Sequence, residues 1–421
     1  MNTTSSLLLF PAGASFIDEV AARIVDLHRS RLPDLSALTL VVAGPALLKP
    51  LRVALANAAG GALLLPRIIT AGNLAAESLP DDQAPPLSAL ECRLRLAEAL
   101  SRFRSIFPGQ DPLRVAEALY AIFDELVLNA ATLPEDEAGV AECLRVAYGA
   151  QLIEPLSREA QIVHRLWRAY VEEIGDRAPA VAYLAGLRAA LGDDHRGPTI
   201  WLGFDALTQA EAVLIRPAIA AGRVSFWTQG RDSGRDGAAI RSLFAAIGDQ
   251  PPVKVETTPA ARSALLDACF AEASISARER AQGLSADCAT GLRQVPVASP
   301  EQEARCVDLA IREALLNGAQ SIAVVSPDRR LARRLRALLE RAGLSFEDRV
   351  GWALSTSRAA AALSSWLECL ESGFQFRPLL DLLKCGFFPV DDETGIGAET
   401  ALAAALERAL LGRRDPGRPD R

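Results

Sequence analysis

Lysine is where most phosphate chemistry begins, and this chain has only three: Lys49, Lys254 and Lys384. A P-loop needs G-x-x-x-x-G-K-[ST], with the lysine reaching the β/γ-phosphates and the glycine-rich backbone cradling them. Leu48 and Pro50 flank Lys49, two valines flank Lys254, and Leu383 and Cys385 flank Lys384. An intact P-loop is therefore excluded. The (D/E)-x-K half of a restriction-type nuclease site fails as well, because Leu47, Pro252 and Leu382 stand two residues before the lysines. A kinase-type V-A-I-K lysine is missing too.

The other catalytic chemistries fare no better. The seven cysteines are Cys92, Cys143, Cys269, Cys288, Cys306, Cys369 and Cys385. The closest two lie 16 residues apart, so no C-x-x-C is present for zinc or an iron–sulfur cluster. His28, His164 and His195 form no H-E-x-x-H and no cluster. No metal, cofactor or catalytic residue is assigned. Asp124 and Glu125, like Asp193 and Asp194, are adjacent carboxylates, not partners across a cleft. No G-x-S-x-G nucleophile motif occurs. Gly395-Ile-Gly397 begins a G-x-G-x-x-G pattern, but Thr400 stands at the last glycine position, and the segment reads as a turn.

The elements that would position any site come next. Half of the 421 residues are hydrophobic and 23% are charged, enough to bury large cores in two to four domains. A net charge of -7 argues against wholesale coating of nucleic acid but leaves room for a local basic groove. The odd, scattered cysteines suit reduced, mostly buried thiols. The first charged residue is Asp18, and the apolar run Leu7 to Phe10 lacks the basic flank of an export signal. The uncharged stretches at residues 35–48 and 53–66, like the 17 residues before Asp18, are shorter than the roughly 20 apolar residues of a membrane span. A soluble, cytoplasmic protein without membrane contact is expected.

Short apolar runs at Leu7–Phe10, Leu38–Val42, Ala62–Leu65 and Ile68–Ile69 alternate with helical segments carrying Phe16, Val20, Ile24 and Leu27 and spanning residues 46–58. Runs without alternation, each followed by a helix, predict a parallel sheet covered on both faces. From residue 87 to 191 the period is helical. Ser88 and Glu91 form a capping box ahead of Leu90, Leu94 and Leu100, and Val163, Leu166, Trp167, Tyr170, Val171 and Ile174 make one apolar stripe. Strands return at Thr199–Gly203 and Val224–Thr228, where Trp201 and Trp227 read as core. A second unit opens near Gln294. It has a helix over residues 303–316, strands at Ser321–Val325 and Leu344–Phe346, and helices over residues 359–371 and 378–384. The final residues 412–421 read as a disordered tail.

In this order and spacing the segments resemble the AddB-type subunit of bacterial helicase–nuclease complexes that process DNA double-strand breaks. Leu8 to Phe16 sits where a superfamily 1 helicase has its strand and P-loop. Leu40 to Pro45 and Leu63 to Thr70 look like the following strands, and Pro86 to Arg93 like the entry to a helical insertion. Trp201 to Gln209 occupies the Walker B place. Ser299 to Arg305 with Ile322 to Asp328 looks like the opening of the second motor lobe, and Leu354 to Arg358 like the short motif after it.

The resemblance implies a P-loop-NTPase-like α/β fold. A first lobe would cover residues 1–285, with its core at 1–80 and 196–285 and a helical insertion at 85–195. An incomplete second α/β lobe would cover 290–411. It implies a non-catalytic DNA-binding or scaffold subunit in double-strand break repair and recombination. The partners would be double-stranded DNA ends or single-stranded DNA and a catalytic subunit of the AddA type.

The family's members continue to a C-terminal nuclease with cluster cysteines that this chain does not contain, so nuclease activity is not carried over. A truncated remnant of a longer repair nuclease is one alternative. A two-lobed nucleotide-ligand transferase is the other. Gly13, the only glycine of the first loop, and Asp205, followed by Ala206 where the general-base glutamate would stand, would be vestigial nucleotide-binding residues. Asp205 reads better as a cap of the helix that begins near Ala210 or as the end of a strand. Arg329, Arg330, Arg333 and Arg334 lie at i, i+4 pairs on one helix and form a ridge able to track phosphates. The same arginines also fit the solvated outer face of a helix whose leucines turn inward.

Overall fold

A computed structural model describes residues 6–12, 15–80, 84–102, 109–131, 133–134, 136–148, 154–192, 197–232, 234, 237–256, 261–271, 276–348, 351, 354–387, 405–406 and 408–409. Gly13, Asp193, Asp194, His195, the Gly395–Gly397 segment and residues 412–421 lie outside them. The chain divides into two units, Met1–Leu292 and Arg293–Arg421.

The first unit is built on six parallel strands: β1 (Leu7–Pro11), β2 (Thr39–Val42), β3 (Arg67–Thr70), β4 (Thr199–Leu202), β5 (Val224–Gly230) and β6 (Val253–Lys254). Their order across the open sheet is β3-β2-β4-β5-β1-β6. Successive residues bury on opposite faces, as the strand's two-residue period requires. Leu7, Leu9, Val41, Trp201 and Phe226 enter one core; Leu8, Phe10, Leu40, Val42, Ile200, Leu202 and Trp227 enter the other. This is why the strands read as continuous apolar runs.

Helices α1 (Phe16–Leu27) and α2 (Leu48–Ala59) cover the second of these faces. Helices α3 (Ala71–Ala76), α8 (Pro179–Gly192), α9 (Gln209–Ala220) and α10 (Gly237–Ile247) cover the first. Connections from β1 and β2 run toward β3 over one face. Those from β4 and β5 run toward β6 over the other. Opposite winding directions on opposite faces are what right-handed β-α-β connections produce.

Between β3 and β4 the chain inserts α4 (Ala89–Arg102), α5 (Pro112–Leu128), α6 (Glu137–Tyr148) and α7 (Glu154–Glu173), which lead into α8. Leu96, Leu100, Leu119, Phe123, Tyr170 and Ile174 form a third core there. The predicted α4 stripe is corrected: Leu90 and Leu94 are exposed, and the buried face is Cys92, Leu96 and Leu100. The Ser88 hydroxyl still caps the helix, accepting from Glu91 N at 3.1 Å. After β6 come α11 (Ala261–Phe270) and α12 (Ala277–Gln282).

The second unit holds α13 (Pro300–Leu316), α14 (Arg329–Arg341), α15 (Arg358–Glu371) and α16 (Phe376–Leu383). Ser299 caps α13 by accepting from Gln302 N at 3.2 Å, with Pro300 at the first helical position. The expected strands at Ser321–Val325 and Leu344–Phe346 do not form, so among the described residues this unit is helical and not α/β. A strand exists through its ladder, and no described segment pairs with either run. Ile322, Val324 and Val325 are accordingly exposed, Val325 at 95%.

Candidate functional site

In an open parallel sheet, ligands lie outside the carboxyl ends of the strands, where neighbouring connections leave in opposite directions. β1 and β5 are such a pair. Their carboxyl ends, with that of β4, bring together Pro11, Ser15, Gly203, Asp205 and Gln229. The edge is tied across by hydrogen bonds. Gln229 Nε2 donates to Pro11 O at 3.0 Å, Thr228 Oγ1 to Phe204 O at 2.6 Å, and Gly203 N to Trp227 O at 3.0 Å.

Hydrocarbon packs against this edge. Gly203 adopts φ +76°, and a Cβ placed on it would lie 3.3 Å from Leu47 Cδ1 and 3.4 Å from Phe16 Cε1. The Phe16 ring also stands edge-on to Phe10, with centroids 5.4 Å apart. The N-terminus of α1, where a helix offers free N–H groups to an anion, begins with Phe16 and carries Asp18 and Glu19 in its first turn. The Ser15 hydroxyl is bound to the Asp18 carboxylate. Two carboxylates already occupy the favourable dipole end and would repel a phosphate.

Asp205 is exposed and makes no hydrogen bond or ion pair among the described residues. It does not cap α9. Thr208 does, in a reciprocal box with Glu211, whose other oxygen accepts from Tyr183 Oη at 2.6 Å. Beside Thr208 a groove of about 600 Å³ is lined by Arg93, Glu117, Tyr120, Asp124 and Glu125. One guanidinium faces three carboxylates there, the wrong balance for an anion. Burial raises the Asp124 carboxyl above its ordinary value and pushes the Tyr120 phenol up to about 12.

Among the described residues no group of three or more His, Cys, Asp or Glu side chains is placed to hold a metal ion. His164 is buried with Nε2 2.8 Å from Pro134 O, and His28 is half-buried. Burial first, and then the Arg31 charge, lower the His28 pKa. Cys92, Cys288 and Cys369 are buried, but Cys143 and Cys269 are exposed, against the expectation of mostly buried thiols. No described helix is long and apolar enough to cross a membrane.

The predicted arginine ridge is α14 of the second unit. Its leucines, Leu331, Leu335 and Leu339, are buried as the period requires. The four named arginines share the helix but not one condition. Arg329 is paired with Asp348 at 3.1 Å and donates to Gly351 O at 2.6 Å. Arg334 grips Glu301 of α13 through two bonds at 2.6 and 2.7 Å. Glu301 also accepts from Arg305 at 2.9 Å. The bonds from Arg334 and Arg305 hold the Glu301 carboxyl down at about 2. Arg330 and Arg333 are exposed, and the Arg330 guanidinium makes no ion pair among the described residues. Arg341, at the helix end, is likewise exposed and without an ion pair there.

Sequence reading named the ridge but missed its internal carboxylates. Glu301 is 33 residues from Arg334, a separation that no helical periodicity reports. It also missed Phe346, whose signal is a lone aromatic in a run that fails to become a strand.

No protein-family model matches this chain, and no curated protein matches it.

Proposed function

We propose that the chain is a non-catalytic, helicase-like DNA-binding and scaffold subunit of the AddB type, serving a helicase–nuclease in double-strand break repair. The observation that carries this reading is the condition of the sheet's carboxyl edge. β1 and β4, the strands at the P-loop and Walker B places, end at one edge with β5 between them and a helical insertion ahead of β4. This supports a P-loop-NTPase-like lobe. At that same edge Phe16 and Leu47 pack against Gly203, and Asp18 and Glu19 head the helix that would hold phosphate. A helicase-like lobe that has lost its nucleotide retains surfaces for DNA and for an ATP-driven partner of the AddA type.

The test is fluorescence anisotropy on a forked DNA end across a salt series, without nucleotide. Binding is expected, with log affinity falling linearly as log salt rises and the slope giving the number of phosphates contacted. ATP and other nucleotides should leave the thermal midpoint unmoved. Absence of binding at low salt, from a protein shown to be folded, overturns autonomous DNA binding. Stabilisation by a nucleotide favours a transferase instead.

A further inference from the structure

Beside α14 lies a groove of about 560 Å³, lined by Arg336, Glu340, Gly343, Leu344, Phe346 and Asp348. Its lining is mostly polar, with Leu344 and Phe346 as its apolar side chains. Phe346 is 41% exposed, with the Arg336 guanidinium over its ring at 6.0 Å from the centroid. Its two carboxylates are already answered: Glu340 accepts from Arg336 Nε at 2.6 Å, and Asp348 is paired with Arg329. About a third of a turn round the same helix stand Arg330, Arg334 and Arg341. The first and last are without an ion pair among the described residues and lie about 16 Å apart along the axis. A neutral slot with an exposed ring therefore adjoins a row of cations.

We propose that this groove takes one unpaired base of a single-stranded nucleic acid, stacked on Phe346, while the neighbouring arginines follow its phosphates. Every base has a π-face, so such a platform is sequence-tolerant, and a base still paired in a duplex cannot enter it. Arg336 adds a cation to the stack, and the neutralised Glu340 and Asp348 remain acceptors for a base's amino group. The inference rests on the DNA-binding reading above and adds which form of DNA this unit prefers.

The probes are a short single strand carrying 2-aminopurine and the duplex of the same sequence, titrated with the full chain across a salt series. Preference for the single strand with quenching of the 2-aminopurine is expected. Phe346→Ala should abolish the quenching and weaken single-strand binding about tenfold, with the salt slope unchanged. Phe346→Trp should restore both. Arg330→Glu with Arg341→Glu should weaken single strand and duplex alike and flatten the slope. Equal affinity for both DNAs with Phe346→Ala silent overturns the base site and leaves the ridge standing. Failure of both DNAs to bind at low salt overturns the base site together with the reading beneath it.

Discussion

Gly186 and Gly60 separate two reasons for glycine. Gly186 lies in α8 where it crosses α3, and an added Cβ would sit 2.1 Å from the Ala75 carbonyl oxygen. A backbone atom cannot yield as a flexible side chain does, so the helices would have to part. Gly186→Ala should cost about 2–3 kcal/mol, the upper part of the range for overpacking. Gly60, after α2, has φ +69° and nothing within 4 Å of an added Cβ. There alanine meets only the left-handed backbone penalty, and Gly60→Ala should cost about 1–2 kcal/mol. Urea unfolding of both variants checks the order. Equal costs would mean that the close approach of α3 and α8 is wrong. At the sheet edge Phe16 makes the same kind of argument for function: the place that a phosphate cradle would leave open is packed with ring and methyl groups.

At the scale of elements, the Glu301 clamp between α13 and α14 carries a pH dependence. Hydrogen bonds from Arg334 and Arg305 depress the carboxyl from an ordinary 4.5 to about 2. A depressed acid contributes stability that is complete above 4.5 and is lost as pH falls toward 2. Glu301→Gln should therefore be less stable than the natural protein at pH 6, with the difference closing between pH 4.5 and 2. A difference that stays constant across that window would show that the clamp does not form in solution. The effect is small, since the pair is exposed to solvent.

How far such elements were legible follows from their physics. Helices such as α13 announce themselves locally, through Ser299, Pro300 and Gln302. The runs at β1, β2, β4 and β5 were legible because both faces of each strand are buried. Ser321–Val325 is a similar apolar run but has no pairing neighbour among the described residues, and a ladder cannot be read from one run. The clamp and the Arg329–Asp348 pair join residues far apart in sequence, so the ridge looked more uniformly cationic than it is. β6, two residues long with Lys254 at the sheet edge, carries too little pattern to be seen.

For the whole molecule, the division of burial predicts how it comes apart. The first unit holds three apolar clusters, on the two faces of the sheet and within the inserted helices. The described part of the second unit buries Ala304 and Asp308 of α13, Leu331, Leu335 and Leu339 of α14 and a few residues of α15 and α16, and leaves Leu316, Val325, Leu354, Leu363 and Leu367 exposed. Opening free energy follows apolar burial and protected hydrogen bonds, so the two units should not share one transition. Hydrogen exchange read by peptide should show α13 to α16 exchanging in conditions where β1, β2, β4 and β5 remain protected. The backbone of Ser321–Val325 should exchange fastest, for want of a ladder. Protection of Ser321–Val325 equal to that of β5, in the chain alone, would mean that the run is paired in solution and that the second unit carries a sheet of its own.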